Sequence, residues 1–322
     1  MDNYIKLCAE MAYNDVLIES YFEEELSLNE ADKGSFVEKV KKFFAGIKAF
    51  IQNLFGKVIQ FFKDCIKKIS DKFSSKEKKD EKKKETKVTK VDKLDGKNLK
   101  KIVDRKKNES ALLYDSLMEM VLTEGTDYGL VAVDIYEKHS KNLRDVYSQM
   151  KETMQKIDGI EEAAFEKYMA DDKYPVEEYL ERIDKLFDNI STKEIENIDA
   201  DCKKELEDKS DSSGVFDRKA DDHLIRYFHR DLDIQSQNLS REIEWVERHQ
   251  KSIEENIAKY TSDHVSGRLK LSQRSYSHYA KLLTKVEKGY IDLLRNIIIM
   301  ANKSKVKDLK TEHPDGSTSY RV

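Results

Sequence analysis

An all-α protein is predicted by three features of the 322-residue chain. Charged residues make up 38% of it. Proline occurs twice and glycine eleven times, too rarely for a β or α/β fold of this length. Apolar residues recur at three- and four-residue spacing over long stretches, the helical period, and no alternation of period two is long enough to name a strand. The expected architecture is a C-terminal helical bundle over 109–309 with a long antiparallel coiled-coil hairpin. An amphipathic helix and a charged linker precede the bundle, and a flexible tail (310–322) follows it.

Charge divides the chain into blocks. Residues 1–34 carry two Lys against nine Asp/Glu, a net −7. Residues 35–107 carry 24 Lys/Arg against ten Asp/Glu, a net +14. The remainder carries −11, within an overall −4. Such an order of acid, base and acid is modular.

Residues 1–34 form an acidic leader. Tyr4, Cys8, Met11, Ile18, Phe22 and Leu26 approximate one helical face, and SLNEADKG (27–34) breaks it. The opening lacks a basic segment followed by an apolar one, so no secretory signal is expected.

Residues 35–73 are a basic amphipathic helix. At about 100° per residue the apolar side chains cover half the circumference. The stripe includes Phe36, Phe43, Phe44, Ile47, Phe50, Ile51, Leu54, Phe55, Val58, Phe61 and Phe62, and Lys residues fill the opposite half. Eight of the 13 Phe lie in this stretch. Three homes fit such a helix: an anionic membrane surface, a groove on a partner protein, or the core of its own bundle. The stripe is therefore the candidate membrane or partner face. It is too charged to span a bilayer. Residues 74–108 are too polar to bury a core and read as a solvated linker.

From residue 109 the apolar periodicity returns. ESALLYDSLMEMVLTEG predicts a short helix. A long helix from Tyr128 to about Ala170 follows, with a seam of Val133, Tyr136, Leu143, Tyr147, Met150, Met154 and Ile157. Pro175 suits the first turn of the next helix, which carries Tyr179, Ile183 and Phe187 and continues weakly toward Lys209. SDSSG (210–214) is a loop. Ile225, Leu232, Leu239, Val246, Ile253 and Tyr260 repeat at seven, with Ile243 and Ile257 beside them. After TSDHVSG, a second series runs Leu269, Tyr276, Leu283, Tyr290 and Ile297, interleaved with Tyr279, Val286, Leu293 and Met300. Two heptad runs joined by a short polar loop predict an antiparallel hairpin.

The motifs of common chemistries are missing. There is no Gly-rich phosphate loop, nucleophile elbow or HExxH, and no cofactor is expected. Cys8, Cys65 and Cys202 are odd in number and far apart, so neither a disulfide framework nor a zinc site is expected. Asp221, Asp222, His223, His229, Asp231 and Asp233 read as a solvated helix start. His249, His264 and His278 read as surface residues, and Trp245 as core. The basic linker lacks interleaved aromatics, so nucleic acid is not the expected partner. Helical seams of this kind also favour self-association.

The segment ESYFEEELSLNEA (19–31), together with the Phe/Lys helix behind it, resembles the internal head and virion-associated structural proteins of tailed bacteriophages. Their short acidic leaders are removed by a prohead protease that cuts after Glu in the pattern apolar, any residue, Glu. Leu28-Asn29-Glu30 fits that pattern, so the resemblance implies a candidate processing site at Leu28, Glu30 and Ala31. It further implies a non-enzymatic protein of the virion or host cytoplasm whose partners are proteins of the capsid interior. The alternatives are a helical protein peripherally attached to a membrane, and a cytosolic coiled-coil adaptor.

Overall fold

The computed structural model describes residues 33–84, 128–170, 176–207, 215–216, 218–259, 262–303, 305–306, 310–312 and 318–320. The acidic leader, the candidate cut at Leu28–Ala31, the linker from residue 85, the helix expected at 109–125 and the 210–214 loop lie outside those residues.

The fold is all-α. Its helices are α1 (Lys33–Lys84), α2 (Tyr128–Ala170), α3 (Val176–Asp188), α4 (Lys193–Glu196), α5 (Ile198–Glu207), α6 (Arg218–Lys259) and α7 (Ser262–Lys303). Two minimal pairings accompany them. β1 (Val215–Phe216) lies parallel to β2 (Lys305–Val306), and β3 (Lys310–Glu312) antiparallel to β4 (Thr318–Tyr320). The tail expected to be flexible therefore contains a short strand pair. α1 also runs eleven residues past Phe73, into the stretch expected to be linker. Lys and Glu, which dominate that stretch, are good helix formers.

Four long helices build the bundle. Lys48–Glu247 and Phe62–Phe228 set α1 antiparallel to α6. Phe44–Tyr276 and Phe62–Tyr290 set it parallel to α7. Tyr136–Asp231 and Tyr147–Glu242 make α2 parallel to α6. Glu161 against Ser272, with Leu143 beside Gly289, makes α2 antiparallel to α7. α7 is the central element and is covered on nearly every side, since α3, α4 and α5 also pack on it.

The Phe stripe of α1 is core. Phe36, Phe43, Phe44, Ile47, Ile51, Leu54, Phe55, Val58 and Phe62 are buried, and Phe50 and Phe61 are half-buried against the same cluster. Each such burial is worth about 1.5–3 kcal/mol before entropy is subtracted. Phe44 meets Phe43, His249 and Tyr276 edge-on or tilted. Of the three homes open to this face, its own bundle holds it, and one hydrophobic cluster joins α1 to the helices of 128–303. The boundary expected between an N-terminal module and a separate bundle is thus crossed by a shared core.

The expected coiled-coil hairpin is altered as well. α6 and α7 run antiparallel, and α7 starts at Ser262, within the stretch expected to be loop. Yet α6 packs most extensively on α1, and α7 on α2. The seam on α7 is the expected one, with Leu269, Tyr276, Leu283, Tyr290 and Ile297 buried. The seam on α6 is the expected one only in part. Val246, Ile253 and Ile257 are buried as expected, but Ile225, Leu232, Leu239 and Ile243 are only half-buried, and Leu224, Phe228, Asp231, Gln235, Asn238, Glu242 and His249 face inward with the first three. This stripe contains 231/242/253 and 235/246/257, spaced by eleven. On α2, Ala132, Leu143, Met154 and Phe165 show the same spacing. An eleven-residue repeat is close to the natural period of a straight helix, whereas a strict heptad would impose a left-handed supercoil.

Small helices are clamped to the outside by charge. Arg274 donates to Asp184 through Nε at 2.7 Å and Nη2 at 2.9 Å, joining α7 to α3. His278 lies 2.8 Å from the same carboxylate and stacks on Phe187. Lys285–Glu196 ties α4 to α7, and Lys138–Glu205 ties α5 to α2, at 2.7 and 2.9 Å. The Arg274 bond holds the Asp184 carboxyl below the usual range.

Candidate functional site

The inward face of α6 carries a ladder of polar groups, because Asp231, Glu242 and His249 occupy core positions along one stripe. Each must find partners, since an unpaired buried charge costs several kcal/mol.

Asp231 accepts from Tyr136 at 2.8 Å and from Arg144 at 2.9 and 3.1 Å, and Arg230 closes the group at 3.2 Å. One repeat further on, Glu242 accepts from Tyr147 at 2.5 Å, with Lys151 at 3.5 Å. Burial and then the facing carboxylate push both phenols far above their ordinary range. The hydroxyl of Tyr279, on α7, lies beside Glu242 and Tyr147.

The third rung is the richest. Trp245 Nε1 donates to Asp158 at 2.9 Å. Glu161, on the inward face of α2, accepts from Ser272 at 3.1 Å and from Ser275 at 3.2 Å. His249 Nε2 lies 2.9 Å from Ser272 Oγ and 3.4 Å from Glu161, and Nδ1 lies 3.6 Å from Asp158. Burial raises the Glu161 carboxyl, against the opposing pull of His249 and Arg268.

A serine beside a histidine beside a carboxylate has the members of a nucleophilic triad. Here Ser272 is fully buried, packed within α7, and its hydroxyl serves Glu161. A substrate carbonyl has no approach to it. The arrangement fixes helix register. It positions α2, α6 and α7 against one another through hydrogen bonds that a shifted register would leave unmade.

A cavity of about 170 Å³ opens between α2 and α6 over the second rung, lined by Lys151, Arg241, Arg248, Trp245, Glu242 and Tyr279 among others. It is large enough for a small molecule or several waters. Among the described residues no cluster of His, Cys, Asp and Glu could hold a metal ion. None of the described helices is long and apolar enough to cross a membrane.

Several of these placements differ from the sequence expectations. Asp231, expected at a solvated helix start, is instead buried at a rung, while His223 and His229 are exposed. His249 and His278, expected on the surface, are buried and half-buried. Trp245, expected in the core, is half-buried and packs against Tyr276 and Tyr279. The signal that could have found the rungs is the eleven-residue spacing of Tyr136/Tyr147 against Asp231/Glu242. Cys65 and Cys202 are buried free thiols, each pushed up to about 12 by burial, an environment that disfavours the reactive thiolate.

Comparison with models of known families, with curated proteins and with solved structures finds no match for this chain.

Proposed function

We propose that this chain is a non-enzymatic assembly protein of a tailed-phage particle, made with an acidic leader that is removed by a cut after Glu30. The observation that carries the reading is where the candidate cut falls relative to the bundle. α1 begins at Lys33, and the first buried side chain among the described residues is Phe36. Cleavage between Glu30 and Ala31 leaves every described core residue on the product. It also removes a net charge of −7, one Lys and eight Asp/Glu. A cut there severs the chain ahead of every described core residue, so the packing among those residues needs no broken backbone.

The non-enzymatic part rests on the polar ladder, whose titratable groups are consumed in packing. Attachment to a membrane through the Phe stripe would require α1 to leave the bundle and strip nine buried side chains from their neighbours. The favoured partners are therefore proteins, within the capsid or as further copies of this chain, met by the outer faces of the helices.

N-terminal peptide mapping of the protein from native particles tests the reading. The expected mature N-terminus is Ala31. A virion-derived chain that still begins at Met1 would overturn it.

A further inference from the structure

We propose that residues 1–30 dock in cis along the outer, basic face of α1. The idea goes beyond the assembly reading and stands without it, because the docking is a property of the isolated chain.

The face is defined by what the core leaves outside. Between Phe36 and Asp71, α1 carries eight Lys and three Asp/Glu. Lys39, Lys41, Lys42, Lys63, Lys67 and Lys68 are exposed. Lys41 reaches Glu38 only at 3.9 Å, and Lys48 reaches Glu247 at 3.4 Å. Lys39, Lys42, Lys63, Lys67 and Lys68 make no ion pair with any described residue. Like charges along one helix face repel, so an acidic cover stabilises them.

Between Ala45 and Gly56 the centre line of this face is low. Ala45, Ala49 and Gly56 are exposed along it, and a Cβ added at Gly56 would meet nothing within 4 Å. Half-buried Phe50 and Phe61 border one side, and Ile59 and Ile66 the other. A second helix laid along this channel would cover those apolar margins.

Charge and length select the occupant. Residues 1–30 carry −7 and a face of Tyr4, Cys8, Met11, Ile18, Phe22 and Leu26. They join α1 through the polar segment SLNEADKG, which ends just after the helix begins. As a helix, residues 1–26 span about 39 Å, the length of α1 from Ser35 to about residue 60. Folded back antiparallel, Glu19 and Glu23–Glu25 fall opposite Lys39, Lys41 and Lys42. Glu10 and Asp15 then fall near Lys48, and Asp2 near Lys57 and Lys63. The single leader lysine, Lys6, falls near Phe55, away from the paired positions.

Carbodiimide cross-linking of the recombinant full chain, as a mixture of 14N- and 15N-labelled protein, tests this. Links between Glu23–Glu25 and Lys39 follow from tethering and decide nothing, so the diagnostic links are Glu10–Lys48 and Asp2–Lys63. They should form at low salt within one isotope and fade at high salt. The exposed triple variant K42E/K63E/K67E should lower Glu10–Lys48 at least tenfold with an unchanged helical melt. Adding D2K/E10K/D15K to that chain should restore links with reversed polarity, from the carboxylate introduced at position 63 to the lysines introduced in the leader. Mixed-isotope links would overturn docking in cis and assign the face to a second copy. Links confined to lysines 76–107, or a swap that restores nothing, would overturn docking. A Met1 terminus on virion protein would leave this result untouched, so the two failures are distinguishable.

Discussion

Tyr147 donates to Glu242 at 2.5 Å one eleven-residue repeat beyond the bond from Tyr136 to Asp231, on both helices at once. α2 and α6 are therefore parallel, in a register that repeats every three turns, about 16 Å. Tyr136→Phe should cost about 1 kcal/mol, since Arg144 still satisfies Asp231. Asp231→Ala should cost about 2–4 kcal/mol, because it strands a buried hydroxyl and leaves Arg144 without its anion. A double-mutant cycle by urea unfolding should find the two coupled by more than about 0.5 kcal/mol. The same cycle between Tyr136 and Glu242, a full repeat apart, should be additive. Coupling across rungs as strong as within one would mean that the ladder acts as a unit rather than as separate register pins.

The burial of the α1 stripe makes the N-terminal helix a structural part of the bundle. Phe44 is fully buried among Phe43, His249 and Tyr276, so Phe44→Ala should cost about 3–5 kcal/mol. A chain beginning at residue 109 lacks α1 altogether and bares the facing sides of α6 and α7. Its thermal melt, followed by circular dichroism, should be broad and its surface should bind a hydrophobic dye. A sharp melt would show that α2–α7 hold together alone.

The reasons some of this fold was legible in the sequence, and some was not, are physical. The α7 seam could be read because Leu, Tyr and Ile fill it at regular spacing and α7 is buried on most sides, so no choice of face arises. The α6 seam misled because the eye follows Leu232 and Leu239, while the core position is taken by Asp231, Gln235 and Asn238, one residue to the side. Hydrophobic periodicity has no way to weigh a carboxylate whose partners, Tyr136 and Arg144, sit 95 and 87 residues away in the chain. The Phe stripe was visible at once, but its destination was not. A basic amphipathic helix has the same pattern whether lipid, a partner or α6 and α7 cover it.

Glu287 gives the bundle a pH dependence. It is fully buried on α7, and neither carboxylate oxygen makes a well-formed hydrogen bond among the described residues. Burial, opposed only by nearby Gln235, pushes it up to about 8. Its folded value lies above its unfolded one, so the fold binds the extra proton. That stability is fully present below about pH 4.5 and is lost as pH rises through about 8. Within that window the loss runs at about 1.4 kcal/mol per pH unit. Glu287→Gln should therefore raise the melting temperature, more at pH 8 than at pH 5. If the wild type and the variant change in parallel between those pH values, the carboxyl is not neutral in the fold.

Two helix-interior glycines should respond to alanine with opposite signs. A Cβ at Gly56 would meet nothing within 4 Å, so Gly56→Ala gains helix propensity at no steric cost. The gain should be about 1 kcal/mol. A Cβ at Gly289 would lie 2.5 Å from Leu143 Cδ2 and 3.3 Å from Ile198 Cδ1. Both side chains are buried, with little room to turn away. At Gly289 α7 lies close against Leu143 of α2 and Ile198 of α5, and overpacking such a contact costs about 1–3 kcal/mol. The loss should outweigh the propensity gain, so Gly289→Ala should lower stability in urea unfolding by about 1 kcal/mol. Gly289→Leu should lower it further and loosen the 198–207 helix, read as faster amide exchange there. A stabilising Gly289→Ala would mean that α7 can move off Leu143 without penalty, and that the glycine does not set the approach of these helices.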